Sequence, residues 1–168
     1  ARALSGTPTF QEYVGAQGKL WGAAGVAWWF KSPGIGLWLF QCNPDYYDLP
    51  GALRAGVLDR WVVRQHKNAI KEGDKVVLWC GGSLQAVYAI CTVVSDVAPM
   101  PPRLEDRPFF SGDFAEDVEA RVLLTIDANL ADSPIELEQM KREPALAKLP
   151  IGKQGTNFAI DYSEGDDQ

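Results

Sequence analysis

The sequence predicts an α+β fold: a small mixed β-barrel of about five to six strands, with short helices in the connections. Three observations lead there. The apolar runs are short, about four to nine residues, and each is bounded by turn residues, which is the pattern of a small barrel. Eleven prolines and sixteen glycines punctuate the 168 residues, more turns than a helical bundle uses. Forty-six per cent of the chain is hydrophobic, enough for one core in one domain without cross-links.

The elements follow in order. Residues 1–34 form a Trp-rich extension expected to pack on the barrel or on a partner. Thr9 and Glu12 make a capping box for a short helix, and Trp21, Trp28 and Trp29 crowd the segment that follows. The globular domain is expected over residues 35–163. Leu37 to Cys42 reads as a buried strand ended by Asn43-Pro44-Asp45, and a short helix is expected between Pro50 and Gly56. Trp61-Val62-Val63 is a second strand. Asn68 to Glu72 is a helix or turn, and Glu72-Gly73-Asp74 is a tight turn. Lys75 to Cys80 pairs as a hairpin with Ala86 to Val94. Pro99 to Gly112 reads as a long irregular loop, the kind that tends to carry function. Val118 to Ile126 is a further strand, Glu136 to Arg142 a helix, and Gly155 to Ile160 a turn with a last short strand. Residues 164–168 are an acidic tail.

Several chemistries are excluded or disfavoured. Cys42, Cys80 and Cys91 are odd in number and lack metal-ligand spacing, so neither a disulfide framework nor a metal site is expected. Free thiols fit a cytoplasmic location. No apolar run reaches the roughly 20 residues of a membrane span. The single histidine, His66, lies in a polar stretch. No phosphate-cradling glycine motif and no nucleophile–base constellation can be assembled, so no catalytic residue and no cofactor are assigned. The acids Asp113, Glu116, Asp117 and Glu119 read as a solvated face. A net charge of −6 argues against a sequence-blind nucleic-acid binder, which works by counterion release and is normally basic.

What remains is aromatic and locally basic. Trp61 lies among charges, Tyr46 and Tyr47 follow the first strand, Trp79 stands near the end of its strand, and Phe109 and Phe110 occupy the Pro-rich loop. Aromatic walls with a few polar groups are what a flipped base requires. Arg54, Arg60, Arg64, Lys67, Lys71 and Lys75 face only Asp59, Glu72 and Asp74 over the same stretch. The first five are candidate phosphate contacts beside such a pocket.

Trp38-Leu39-Phe40-Gln41-Cys42-Asn43-Pro44, Asp59-Arg60-Trp61-Val62-Val63-Arg64, Ile70-Lys71-Glu72-Gly73-Asp74-Lys75-Val76 and the closing Gln154-Gly155-Thr156-Asn157-Phe158 together resemble the EVE domain family. That family is related to the PUA, ASCH and YTH domains. The resemblance implies a PUA-like barrel that binds rather than catalyses. It implies a pocket for a modified base, 5-methyl- or 5-hydroxymethylcytosine in DNA, read after base flipping. Alternatives are N6-methyladenine in DNA and an RNA-binding module. Carried over by motif, Cys42 and Asn43 would meet the base edge. Trp61 would form one wall, and Trp79 to Gly81 the floor. Tyr47 and either Phe109 or Phe110 would complete the pocket. The family similarity further implies a specificity module of a modification-dependent restriction system. Its partner would be an HNH-type nuclease or a McrBC-type GTPase on another domain or chain.

Overall fold

A computed structural model describes residues 35–160, apart from positions 113, 115, 143 and 148. The Trp-rich extension and the acidic tail lie outside the described residues. The elements are β1 (Leu37–Cys42), α1 (Leu49–Ala55), β2 (Arg60–Val62), β3 (Lys75–Cys80), β4 (Ala86–Val93) and β5 (Ala98–Met100). A 3-10 helix (Leu104–Phe109), β6 (Glu119–Asn129), β7 (Ile135–Glu136), α2 (Leu137–Arg142), α3 (Pro144–Ala147) and β8 (Asn157–Ala159) follow. Six strands run in the order β2-β6-β4-β3-β1-β8, with β5 beside β6 and β7 beside β4. Among the described residues only β1 and β3 pair in parallel; the other strand pairings are antiparallel. The sheet is therefore mixed, as expected, and curls into a PUA-like half-barrel.

The continuous apolar runs of β1 and β3 have a simple cause: both faces of the sheet are covered. Trp38, Phe40, Val76 and Leu78 point into the barrel with Leu49, Leu53, Trp61 and Val122. Leu37, Leu39, Val77 and Trp79 face the other way, against Met140, Leu146 and Leu149. The short helix α1 is set by its ends. Asp48 caps it by accepting from the Gly51 amide at 3.0 Å, and Gly56 closes it in the left-handed conformation.

The segment expected to be an irregular loop is partly ordered. β5 pairs with β6 through Ala98↔Arg121 and Met100↔Glu119, and the 3-10 helix follows. Prolines hide this in the sequence: Pro99 is tolerated because, among the described residues, β5 has strand pairing on one side alone, with β6, and Pro101-Pro102 then ends the strand.

Two polar devices hold the curl. Asp74 is a buried carboxylate that accepts from the Gly36 amide (3.2 Å), the Trp38 indole (2.8 Å) and the Lys71 amide (2.8 Å). It fastens the start of β1 to the turn before β3. A Cβ on residue 36 would stand 2.7 Å from that carboxylate, so Gly36 permits the close approach. The second device joins the two edges. The Asn157 side chain accepts from the Arg64 and Gln65 amides (2.8 and 3.3 Å) and donates to the Val62 carbonyl (3.2 Å). Gln65 reciprocates, its Oε1 accepting from the Thr156 and Asn157 amides at 3.0 Å each. Two amide side chains thus replace a backbone ladder between the chain leaving β2 and the start of β8.

Asn157 is 1 % exposed, so its loss strands buried donors. Asn157→Ala should cost about 3 kcal/mol, from three bonds at about 1 kcal/mol each. The more exposed Gln65→Ala should cost about 1 kcal/mol. Urea denaturation checks the order; an unaffected midpoint for Asn157→Ala would show that the edges are held otherwise.

Candidate nucleic-acid interface

The curl leaves a cavity of about 280 Å³ between the end of β1, β2, β6 and the 3-10 helix. Its aromatic lining consists of Tyr47, Trp61, Phe110 and Phe114. Trp61 lies on β2 opposite Val122 of β6. Its ring is stacked 6.4 Å from Phe40 and lies edge-on to Tyr47 at 6.1 Å. Tyr47 forms an isolated bridge with Phe110, their rings 4.6 Å apart, and Phe110 meets Phe114 at 5.1 Å. Trp61 is 8 % exposed, and its indole N–H is buried without a hydrogen-bond partner, the one such side-chain atom among the described residues.

The polar lining carries four arginines, Arg60, Arg64, Arg103 and Arg121, against two carboxylates, Asp106 and Glu119. This is a local positive excess in an acidic chain. The arginines are positioned by neighbours. Arg60 pairs with Asp59 (2.8 Å) and donates to the Pro101 carbonyl (3.0 Å). Arg103 bridges to Asp59 (3.4 Å) and the Val57 carbonyl (3.0 Å). Glu119 holds Arg64 at 3.3 Å and Arg121 at 3.5 Å. Hydrogen bonding to Asp59 raises the Arg60 pKa, while burial lowers that of Arg121. Asp106 accepts from the Tyr47 hydroxyl, 2.9 and 3.1 Å from its two oxygens. Burial pushes the Asp106 carboxyl up to about 6, and burial with the Asp106 charge raises Tyr47.

At the end of β1, Cys42 and Cys80 are in register, and the Cys42 thiol donates to the Cys80 sulfur at 3.7 Å. That bond raises the Cys42 pKa and lowers that of Cys80. Gln41 and Cys42 separate the first cavity from a second, of about 530 Å³, which Asn43, Trp79, Gly81 and Lys153 also line. The Gln41 amide fixes the shared wall by donating to the Lys153 and Gly155 carbonyls, both at 2.7 Å.

The EVE domain family model matches residues 36–162. The chain belongs to the EVE domain family. No curated protein matches it. Among solved structures it is similar to Rpa0253 from Rhodopseudomonas palustris, at 18 % identity over 75 % of this chain and 85 % of that one, TM-score 0.51. It is similar to human THYN1, solved in complex with 5-methylcytosine-containing DNA, at 14 % identity over 78 % and 94 %, TM-score 0.50. A third is the Pho92 YTH domain, solved in complex with m6A, at 15 % identity over 81 % and 82 %, TM-score 0.50. At these identities the likeness is one of fold.

In this EVE domain the candidates inferred from sequence divide between the two cavities. Cys42, Tyr47, Trp61 and Phe110 line the smaller one with Arg60 and Arg64. Asn43, Trp79 and Gly81 line the larger, where Cys42 also reaches. Phe109 packs half-buried against the core, and its carbonyl accepts from the Asp48 amide at 2.7 Å. Arg54 pairs with Asp132 at 2.8 Å, outside both cavities. Lys67 and Lys71 are exposed. Because β1 and β3 run parallel, Lys71 stands beyond the start of β3, roughly 17 Å along the strands from the cavity end. Asp106, Glu119, Arg103, Arg121, Gln41 and Thr156 also line the smaller cavity, beyond the residues the sequence points to. Glu119 and Arg121 belong to a charged run on β6, and two residues per turn of a strand put both on one face.

No cluster of three or more His, Cys, Asp or Glu able to hold a metal occurs among the described residues. Nor is any helix there long and apolar enough to cross a membrane.

The Asp106 shift has a sign that can be checked. Its folded pKa, about 6, exceeds the ordinary 3.8. The native state therefore binds the proton more tightly, and this group's contribution to stability is lost as pH rises through that window. Asp106→Asn should consequently gain melting temperature relative to the unsubstituted protein between pH 4 and pH 7.5. Thermal melts across that range measure the difference, and a trend of opposite sign contradicts the assignment.

Proposed function

We propose that this EVE domain is a nucleic-acid reader that draws one modified base out of its stack into the cavity walled by Tyr47, Trp61 and Phe110. The base favoured is 5-methyl- or 5-hydroxymethylcytosine in DNA. The observation that carries this reading is the concave aromatic lining: Tyr47, Trp61, Phe110 and Phe114 wall one cavity, with four arginines in the same lining. Stacking on aromatic side chains is worth about 1–3 kcal/mol per base. At about 280 Å³ the cavity lies just below the usual range of ligand sites, about 300–1,000 Å³, and so suits a single heterocycle better than a whole nucleotide chain. Arg60 and Arg64 stand where phosphates of the flanking strand would pass, with Arg64 more than half exposed. The phosphate role of Arg54, Lys67 and Lys71 has less support, since none lines the cavity.

THYN1, with its 5-methylcytosine DNA, supports the DNA reading; the Pho92 YTH domain, with m6A, supports a methylated adenine or an RNA equally by fold. The family resemblance supports a role as the specificity module of a modification-dependent restriction system, acting with an HNH-type nuclease or a McrBC-type GTPase.

Fluorescence anisotropy with one short duplex in five forms tests this: plain, 5-methylcytosine, 5-hydroxymethylcytosine, N6-methyladenine, and the matching RNA, at one low salt concentration. One modified DNA should bind at least about tenfold tighter than plain DNA, a gap of about 1.4 kcal/mol. Trp61→Ala should erase that gap. Arg64→Ala should instead weaken all forms alike and lower the salt slope by about 1. Five equal affinities would sink the reading, and a preference for the RNA would redirect it.

A further inference from the structure

We propose that Asp106 selects the base by its exocyclic amine, so that among pyrimidines the site takes a 5-substituted cytosine and rejects thymine. This rests on the reader function proposed above and deepens it. Thymine carries the same methyl group at carbon 5 as 5-methylcytosine, so no contact to that methyl can separate the two. They differ where cytosine presents an amino donor and thymine a carbonyl acceptor. An ionised carboxylate only accepts, so it bonds the amine and opposes the carbonyl.

Two carboxylates line the cavity, and only one has capacity to spare. Glu119 is committed to Arg64 and Arg121. Asp106 takes part in no ion pair within 4.0 Å among the described residues, and its one partner is the Tyr47 hydroxyl. A single O–H leaves most of the roughly four lone-pair positions of a carboxylate unfilled. Asp106 is also held in place. The 3-10 helix that bears it is anchored at one end by the Arg103 bond to the Val57 carbonyl (3.0 Å) and at the other by the Asp48 amide on Phe109 (2.7 Å). Its acceptor is therefore preset beside the aromatic wall formed by Tyr47, with no reorganisation needed on binding.

The same group makes the selection pH-sensitive. The groups that face it are Tyr47 after β1, Asp59 before β2 and Arg103 at the head of its own helix. Arg60 of β2 and Glu119 and Arg121 of β6 share the cavity. Asp106 is ionised at neutral pH and gains its proton as pH falls through about 6. A protonated carboxyl can donate to the thymine carbonyl, so discrimination should fall with it.

The test uses the full chain and one duplex carrying, at a single position opposite guanine, 5-methylcytosine, thymine or plain cytosine. A mispaired thymine leaves the stack more easily than a paired base, so its rejection reports the pocket. The unsubstituted protein should prefer 5-methylcytosine to thymine at least tenfold at pH 7.5, and the ratio should shrink several-fold at pH 5. Asp106→Asn, which can donate as well as accept, should bring the ratio within about threefold at both pH values. An Asp106→Asn ratio equal to that of the unsubstituted protein overturns the proposal. So does an unsubstituted-protein ratio that holds constant from pH 7.5 to 5, a measurement that needs no variant to fold. Equal binding of 5-methylcytosine and thymine, both above cytosine, overturns the role of Asp106 and leaves the reader function standing. Equal binding of all three overturns both.

Discussion

Asn157 bridges the two edges of the sheet, and the geometry of the candidate site depends on that bridge. β2 and β8 end the strand order, yet one buried amide ties Val62, Arg64 and Gln65 to the start of β8. β8 pairs in turn with β1, so Trp61 is brought beside Gln41 and Cys42, and a cavity forms where an open sheet would present a flat edge. An amide is suited to this because it both accepts and donates. It meets backbone groups of both kinds that would otherwise be left unpaired at the seam.

Around the cavity, local rules for stability are broken in ways that suit ligand binding. Asp106 is buried enough to lose acidity, Arg121 is 7 % exposed, and an indole donor is unsatisfied. Away from it the rules are kept: α1 is capped at both ends, Asp74 has three donors, and both sheet faces are covered. Such a concentration of departures in one place is the expected signature of a functional site in an otherwise consistent fold. The charge pattern agrees. An acidic chain gathers four arginines in one lining and holds each of them with a carboxylate, favouring placement over long-range attraction.

Much of the fold was legible because its signals are local. The runs of β1, β3 and β4, the Gly56 cap and the Glu72-Gly73-Asp74 turn stand in the sequence as they stand in space. Trp61 stood out only with the other aromatics around it, since taken alone a tryptophan reads as core, and it does also pack in the barrel core. β5 and the 3-10 helix were hidden by prolines, which usually argue against regular structure, and Asp106 was hidden with them. The position of Lys71 required the parallel pairing of β1 and β3, a long-range fact. A basic residue ten positions after Trp61 is near it in sequence and far from it across the sheet. Asn157 could be read only as part of a closing motif, since nothing local says that a polar side chain will substitute for a strand pairing.

The central claim is that a modified base enters the aromatic cavity beside Trp61. Nitrogen-15 correlation spectra resolve tryptophan indole N–H groups, and Trp61→Phe identifies the Trp61 peak by its disappearance. On titration with a 5-methylcytosine oligonucleotide, that peak should shift, as the ring current of a base entering the cavity acts on it, and should stay in place with the unmodified strand. If it is unmoved by every modified form while other resonances of the domain shift, the nucleic acid binds elsewhere and the cavity is not the reading site.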